Sequence, residues 1–334
     1  MTAHEVTQGR LSEDALIARL LAPIAGPAGL GLRDDAALLA PPPGCELVVT
    51  VDALVSGIHF FADDPPASIA RKLLGVNLSD LAAKGADPVG FLLAMMLPDA
   101  LSHDWIKAFI DGLSGAANIA GCPLIGGDTT RIDGPLALSL TAIGSVPVGQ
   151  MVRRTTAKPG DVIAVTGTIG DAALGLLLQQ ANPADGLLRL GADHRDFLLD
   201  RYRHPRPRNI LAPALRAHAS AAMDVSDGLV GDIRKLLRAS HCGGVVYLDD
   251  VPLSGAAADG VSADPDLFVR ALTGGDDYEI VLCASQQSFR ALQMEAARFD
   301  LPLHLIGHVT DKQDVVFKHQ GGDMNFAHGS YQHF

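Results

Sequence analysis

The sequence predicts an α/β (α+β) protein built as two layered domains, and three observations carry that expectation. Strand-like and helix-like runs alternate in both halves. The pattern restarts after a cluster of turn residues near the middle. At 334 residues the chain is longer than one hydrophobic core usually organises. A hydrophobic fraction of 48% and a charged fraction of 19% leave enough apolar side chains for a core in each half.

The elements follow in order. Ser12 is placed to cap a helix running towards Ala25, with Glu13 and Asp14 in its first turn, and Gly26-Pro27 ends it. Leu47–Val51 is rich in β-branched residues and reads as a strand with Asp52 at its end. Ala67–Ala86 reads as a helix carrying Asn77, Asp80 and Lys84. Val89–Leu97 reads as a buried strand, Ser102–Ala120 as a helix and Leu136–Val146 as a strand. Residues 147–160 contain Pro147, Gly149, Pro159 and Gly160 and mark a domain boundary, giving domains 1–148 and 149–334. Beyond it, Asp161–Val165, Val245–Leu248 and Tyr278–Cys283 read as strands. Asp171–Gln180, Leu229–Ala239 and Phe289–Arg298 read as helices.

Charge excludes one class of partner. The net charge is −12, and the densest basic patch, Arg201 to Arg208, is short and broken by two prolines. Nucleic-acid binding rests on clustered Lys and Arg, so no nucleic-acid partner is expected. An anionic nucleotide remains possible if divalent cations stand between it and the protein. Cys45, Cys122, Cys242 and Cys283 are too far apart for a zinc or redox motif and read as small buried residues of a reducing compartment. Met1–Arg10 has no signal-peptide core and no apolar run is long enough to span a bilayer, so a cytoplasmic protein without a membrane partner is expected.

The aspartates are placed unusually. Asp34-Asp35 precedes Ala36-Ala37-Leu38, Asp52 ends an apolar run, and Asp128 follows Gly126-Gly127. Asp224 and Asp227 flank Val225-Ser226 and lead into Gly228, and Asp276-Asp277 follows Gly274-Gly275. Any one of these reads equally as a turn or a helix cap. Together they suggest carboxylates gathered at strand ends, where α/β folds bind ligands. Such a gathering needs a cation, and oxygen donors without nearby His or Cys favour magnesium over zinc. Magnesium bridging an acidic cleft to a triphosphate suits phosphoryl transfer, which demands positioning and charge neutralisation rather than covalent help. No GxxxxGK[ST], GxGxxG, GxSxG or HExxH is present.

In order along the chain, Asp34-Asp35-Ala36-Ala37, Val51-Asp52-Ala53-Leu54-Val55, Gly57-Ile58-His59-Phe60 and Asn77-Leu78-Ser79-Asp80-Leu81-Ala82-Ala83 form a recognisable series. Gly126-Gly127-Asp128-Thr129-Thr130-Arg131, Lys158-Pro159-Gly160-Asp161, Val165-Thr166-Gly167, Asp224-Val225-Ser226-Asp227-Gly228-Leu229, Gly274-Gly275-Asp276-Asp277-Tyr278-Glu279 and Tyr331-Gln332-His333-Phe334 continue it. In this order and spacing the chain resembles the thiamine-monophosphate kinases of the aminoimidazole-ribonucleotide-synthetase-like superfamily. The resemblance implies ATP plus thiamine monophosphate giving ADP plus thiamine diphosphate. It implies an N-terminal domain that binds metal and ATP and dimerises, and a C-terminal domain that completes the active site in a cleft between them. It implies several magnesium ions held by Asp35, Asp52, Asp80, Asp128 and Asp224, with Thr50 and Val51 assisting and Asp227 holding a further ion. Gly127, Asp128, Arg154 and Ser226 would contact ATP, and His59, Asp276 and Tyr331 the acceptor. No classical acid or base is implied, and the protein would be a homodimer.

Each residue also has a plain structural reading. Asp80 and Lys84 are four apart on a helix and suit a surface pair. His59 lies between Ile58 and Phe60 and suits a core histidine, Arg154 beside Arg153 a linker charge, and Tyr331 packing of the C-terminus. The chain departs from the family pattern at Arg33, where glycine is usual, at Asp276, where glutamate is usual, and at Val51, where a hydroxyl often precedes the aspartate. Two rival functions stand beside the kinase. Another ATP-using enzyme of the superfamily is one, although a selenide-using member would carry a reactive Cys near its N-terminus and the first here is Cys45. A nucleotide-binding regulator without catalysis is the other, and it would have lost metal aspartates.

Overall fold

A computed structural model describes residues 6–7, 10–180, 182–327 and 329–330. They fall into two compact units, Met1–Leu81 with Ala86–Gly149 and Ala82–Gly85 with Gln150–Phe334.

The first unit is organised by a four-stranded sheet of β1 (Cys45–Val55), β2 (Asp87–Pro98), β3 (Leu124–Ile132) and β4 (Ala137–Pro147), in the order β1-β4-β2-β3. β4 pairs antiparallel with β1 and β2, and β2 pairs parallel with β3. Helices α1 (Pro66–Ala83) and α2 (His103–Ala120) supply the rest of its core. Ser102 caps α2, its hydroxyl accepting the Trp105 N–H at 3.1 Å, and Gly121 closes the helix at φ 61°. In β1, Val48 and Leu54 are buried while Val49 and Val51 are 61% and 59% exposed, so one face is packed and the other is open.

Three expectations change here. The strand around Leu47–Val51 runs on to Val55, so Asp52 lies within β1, not at its end, because β4 pairs with it residue by residue through Val55 and Ala137. Asp128 likewise lies inside β3, paired with Ala94 of β2, where the glycines suggested a turn. The first helix is not uniform. It passes from an α-turn (Glu13–Leu16) through a π-turn (Ile17–Leu21) into a 3₁₀ turn (Ala22–Ile24), where Pro23 lacks the N–H that a regular helix needs.

The second unit contains a seven-stranded mixed sheet. Its strands are β5 (Val162–Thr166), β6 (Ala221–Asp224), β7 (Gly243–Tyr247), β8 (Ile280–Ala284), β9 (Leu303–Thr310), β10 (Val315–His319) and β11 (Gly322–Met324), in the order β11-β10-β7-β9-β5-β8-β6. Its strands β5 and β8 and the edge strand β6 are buried throughout. The main helices are α3 (Asp171–Gln179), α4 (Ala192–Arg203), α5 (Leu229–Ala239), α6 (Gly255–Ala263), α7 (Asp266–Thr273) and α8 (Gln286–Ala297). α5 buries Leu229, Ile233, Leu236 and Leu237 against Val165, Met223 and Val246, at a spacing of three and four residues that fits one helical face. Both units are mixed α/β layers. Among the described residues no helix is long and apolar enough to cross a membrane.

Candidate functional site

The first unit carries its candidate residues on two faces of one sheet. Thr50 and Asp52 share the packed face of β1 with Val48 and Leu54. There the Thr50 hydroxyl donates to Asp80 Oδ2 at 2.5 Å, and the Asp52 backbone N–H donates to Asn77 Oδ1 at 3.1 Å. Asp80 and Asn77 sit three apart on α1, which presents both to the strand. The surface pair expected between Asp80 and Lys84 does not fit this geometry, for Asp80 takes the Thr50 hydroxyl and Lys84 Nζ donates to the Ala222 carbonyl at 2.7 Å.

Val51 projects to the opposite, open face. In cross-strand register that face also holds Asp128, with Ala94, Ser139 and Ala53 beside it. A cleft of about 780 Å³ opens there, lined by Asp34, Asp35, Gly126, Gly127, Asp128 and Thr129 among others. Asp35 and Asp128 therefore meet one cavity. Gly127 is required by close approach, since a Cβ would stand 1.9 Å from the Leu93 carbonyl oxygen. The loss of glycine at Arg33 needs no special backbone, because its φ is −109°.

In the second unit, Asp224 ends β6 and is 7% exposed, and Val225–Gly228 turns the chain into α5. Asp232, fully buried in the first turn of α5, accepts the backbone N–H groups of Ser226 at 3.1 Å and Asp227 at 3.0 Å. Lys235 bridges the same turn, with Nζ 2.5 Å from Asp227 Oδ2 and 2.8 Å from Asp232 Oδ1. Burial pushes the Asp232 carboxyl above its ordinary value despite Lys235. Burial opposes the charge on Lys235, but its hydrogen bonds to Asp227 and Asp232 raise it overall.

A second loop runs beside this turn. The Asp276 N–H donates to the Ser226 carbonyl and the Tyr278 N–H to the Val225 carbonyl, each at 2.8 Å, and the Val225 N–H returns a bond to the Glu279 carbonyl at 2.8 Å. The structure thus brings Ser226 and Asp276 together. Gly275, Asp276 and Tyr278 take positive φ of 79°, 63° and 51°. A Cβ on Gly275 would lie 2.4 Å from the Ser226 carbonyl oxygen. Aspartate tolerates this region better than most side chains, and the Tyr278 hydroxyl donates to Asp276 Oδ1 at 3.3 Å.

The remaining candidates are more dispersed. His59 Nδ1 accepts the Val55 N–H at 3.0 Å, tying the turn that follows β1. Arg154 is exposed, and its carbonyl accepts the Ser240 hydroxyl at 3.0 Å. Tyr331 lies outside the described residues. Asp232 and Lys235 were not singled out from sequence, and Asn77 was named on its helix and in its motif without a role. Asp232 and Lys235 are three apart on an amphipathic helix, a spacing that ordinarily marks a surface ion pair.

The donor set suits magnesium in kind. Its members are carboxylates and a hydroxyl, with no cysteine among them. Among the described residues no three His, Cys, Asp or Glu side chains converge into a ready coordination group. Magnesium does not require one, since it keeps several waters and takes one or two carboxylates plus substrate phosphates.

Comparison with known proteins agrees in extent and kind. Residues 33–146 match the AIR synthase related protein N-terminal domain, and residues 158–320 match the corresponding C-terminal domain. A thiamine-monophosphate kinase of Caulobacter vibrioides is 41% identical over 315 residues, 92% of this chain and 87% of that protein. The crystal structure of a thiamine-monophosphate kinase from Stenotrophomonas maltophilia superposes with a TM-score of 0.79 at 44% identity, covering 88% of this chain and 91% of that one. A structure described as AaThiL complexed with AMPPCP and TMP shares the fold, with a TM-score of 0.76 at 24% identity over 96% of this chain and 94% of that one.

Proposed function

The chain belongs to the thiamine-monophosphate kinases of the AIR synthase related family, and on that premise we propose that it transfers phosphate directly, in line, with the help of magnesium ions. The reaction is the ATP-dependent phosphorylation of thiamine monophosphate to thiamine diphosphate, with ADP as the other product. The observation that carries the reading is the 41% identity maintained over 92% of the chain.

The acceptor needs little activation. A phosphomonoester has a second pKa of about 6 and is largely dianionic at pH 7, so no general base is called for. The difficulty is bringing two anions together in a protein of net charge −12. Magnesium bound with the nucleotide would spread the developing charge over hard oxygen ligands. Several ions would share the work: Asp35 and Asp128 would hold one at the cleft of the first unit, Thr50, Asp52 and Asp80 another at the opposite face, and Asp224 one in the second unit. The Val51 backbone would assist. A further ion at Asp227 would have to displace Lys235.

Gly127, Asp128, Arg154 and Ser226 would contact ATP, with Arg154 adding positive charge to the phosphates. Asp276 would pair with the cationic ring of the acceptor, held in place by Tyr278, while His59 and Tyr331 complete the contacts. We further infer a homodimer paired through the open face of the first unit's sheet, where Leu47, Val49 and Val51 leave apolar surface exposed. The experiment is ADP formation from ATP with thiamine monophosphate supplied or withheld and with magnesium present or chelated. Release of ADP only when both are present is expected. ADP release indifferent to thiamine monophosphate would overturn the reading.

A further inference from the structure

The basic patch Arg201–Arg208 has no role in the function as derived so far, and the structure uses it in an unexpected place. Glu279 is fully buried at the base of the loop that carries Asp276. Two arginines converge on its carboxylate. Arg201, 3% exposed, donates from Nη2 to Oε1 at 2.9 Å. Arg208, four-fifths buried, donates from Nε to Oε2 at 2.7 Å and from Nη2 to Oε1. The Thr166 hydroxyl adds a bond to Oε2 at 2.7 Å. Two residues earlier in the loop, both Asp277 carboxylate oxygens lie 2.9 Å from the Gly170 backbone nitrogen.

The loop alternates. Asp277 and Glu279 anchor it into the interior of the second unit, while Tyr278 holds the Asp276 carboxylate. Its backbone is strained at the non-glycine residues Asp276 and Tyr278, both at positive φ, and such a conformation persists only where its surroundings over-determine it. The neighbouring turn, Asp224–Asp227, has its own anchor in Asp232. Two clamps therefore serve two adjacent segments.

We propose that Arg201 and Arg208, acting through Glu279, are positioning residues for the acceptor, setting where Asp276 meets the cationic ring, while Asp232 separately fixes the nucleotide-side turn. The inference rests on the function proposed above, in which Asp276 faces the acceptor and Ser226 the nucleotide. A planar guanidinium fork on a carboxylate fixes direction as well as charge, and lysine keeps only the charge.

The test is steady-state kinetics of Arg208→Gln, Arg208→Lys and Asp232→Asn with each substrate varied in turn. Arg208 is the residue of choice because it is partly solvent-exposed, and Arg201→Lys serves as the second probe of the same fork. Arg208→Gln is expected to raise KM for thiamine monophosphate about tenfold or more and to leave KM for ATP within about twofold. Arg208→Lys should recover part of that loss, and Asp232→Asn should show the opposite split. A purely structural role would lower the active fraction and the unfolding temperature and leave both KM values unchanged, and that result would overturn the proposal. So would parallel rises in both KM values. Wild-type protein that turns over neither substrate would instead sink the kinase reading on which the proposal depends.

Discussion

Asp52 and Asp224 are two of the carboxylates proposed to hold magnesium, one in each unit. Replacement by asparagine keeps the shape and removes the charge that holds a cation. Asp52→Asn and Asp224→Asn are each expected to lower kcat by about 100-fold or more, with circular dichroism unchanged. Near-normal turnover in either purified variant would remove that residue from the mechanism. Asp277 makes a different prediction. Burial pushes its carboxyl well above the ordinary value of 3.8, outweighing the Gly170 amide that favours the charged form. The folded state therefore keeps a proton that the unfolded chain has already released. The group's contribution to stability is full below pH 3.8 and is lost as pH rises through the folded value. Asp277→Asn has no proton to lose, so its unfolding temperature should exceed that of the wild type at pH 8 and converge with it near pH 4. A gap that stays constant with pH would contradict this. At this scale the aspartates themselves were legible, because carboxylates following apolar and glycine runs stand out in a sequence. Their holders were not, since Asn77, Asp232 and Lys235 have ordinary helical spacing and reveal their targets only when the adjoining strand or turn is in place.

Elements with local signals came through most clearly. Ser102 announces α2, and Leu229–Ala239 carries its amphipathic period within its own span. β3 was hidden because its information is not local. Gly126, Gly127 and Asp128 read as a turn in isolation, and only pairing with β2 makes them extended. The same long-range pairing carries Asp52 past the apparent end of its strand. In β9, a bulge between Leu305 and Gly307 interrupts the apolar alternation that would have marked it. The close approach of β3 to β2 yields a prediction at this scale. Gly127→Ala would drive a Cβ into the Leu93 carbonyl oxygen and should cost at least about 2 kcal/mol in urea denaturation. Loss of less than a few tenths of a kcal/mol would show that β3 can move away freely.

For the whole molecule, two mixed α/β units were foreseeable from length, from the restart of the pattern and from the resemblance. The open apolar face of the first unit was not, because exposure of alternate residues in β1 follows from which side the helices cover. If that face pairs two copies, Val49→Glu places a charge in the seam and should convert a dimer into a monomer in sedimentation analysis. A variant that sediments like the wild type would exclude this face as the interface. The acidity of the whole chain has its counterpart in the proposed chemistry, since a protein of net charge −12 that handles two phosphorylated substrates would need cations to bring them in. Direct phosphoryl transfer to thiamine monophosphate is the central claim, and phosphorus NMR of the purified protein with ATP, magnesium and thiamine monophosphate tests it most directly. The expected result is the loss of ATP and thiamine monophosphate signals with matched growth of ADP and thiamine diphosphate. ATP left intact by folded protein, or hydrolysed to ADP and free phosphate with thiamine monophosphate unchanged, would contradict it.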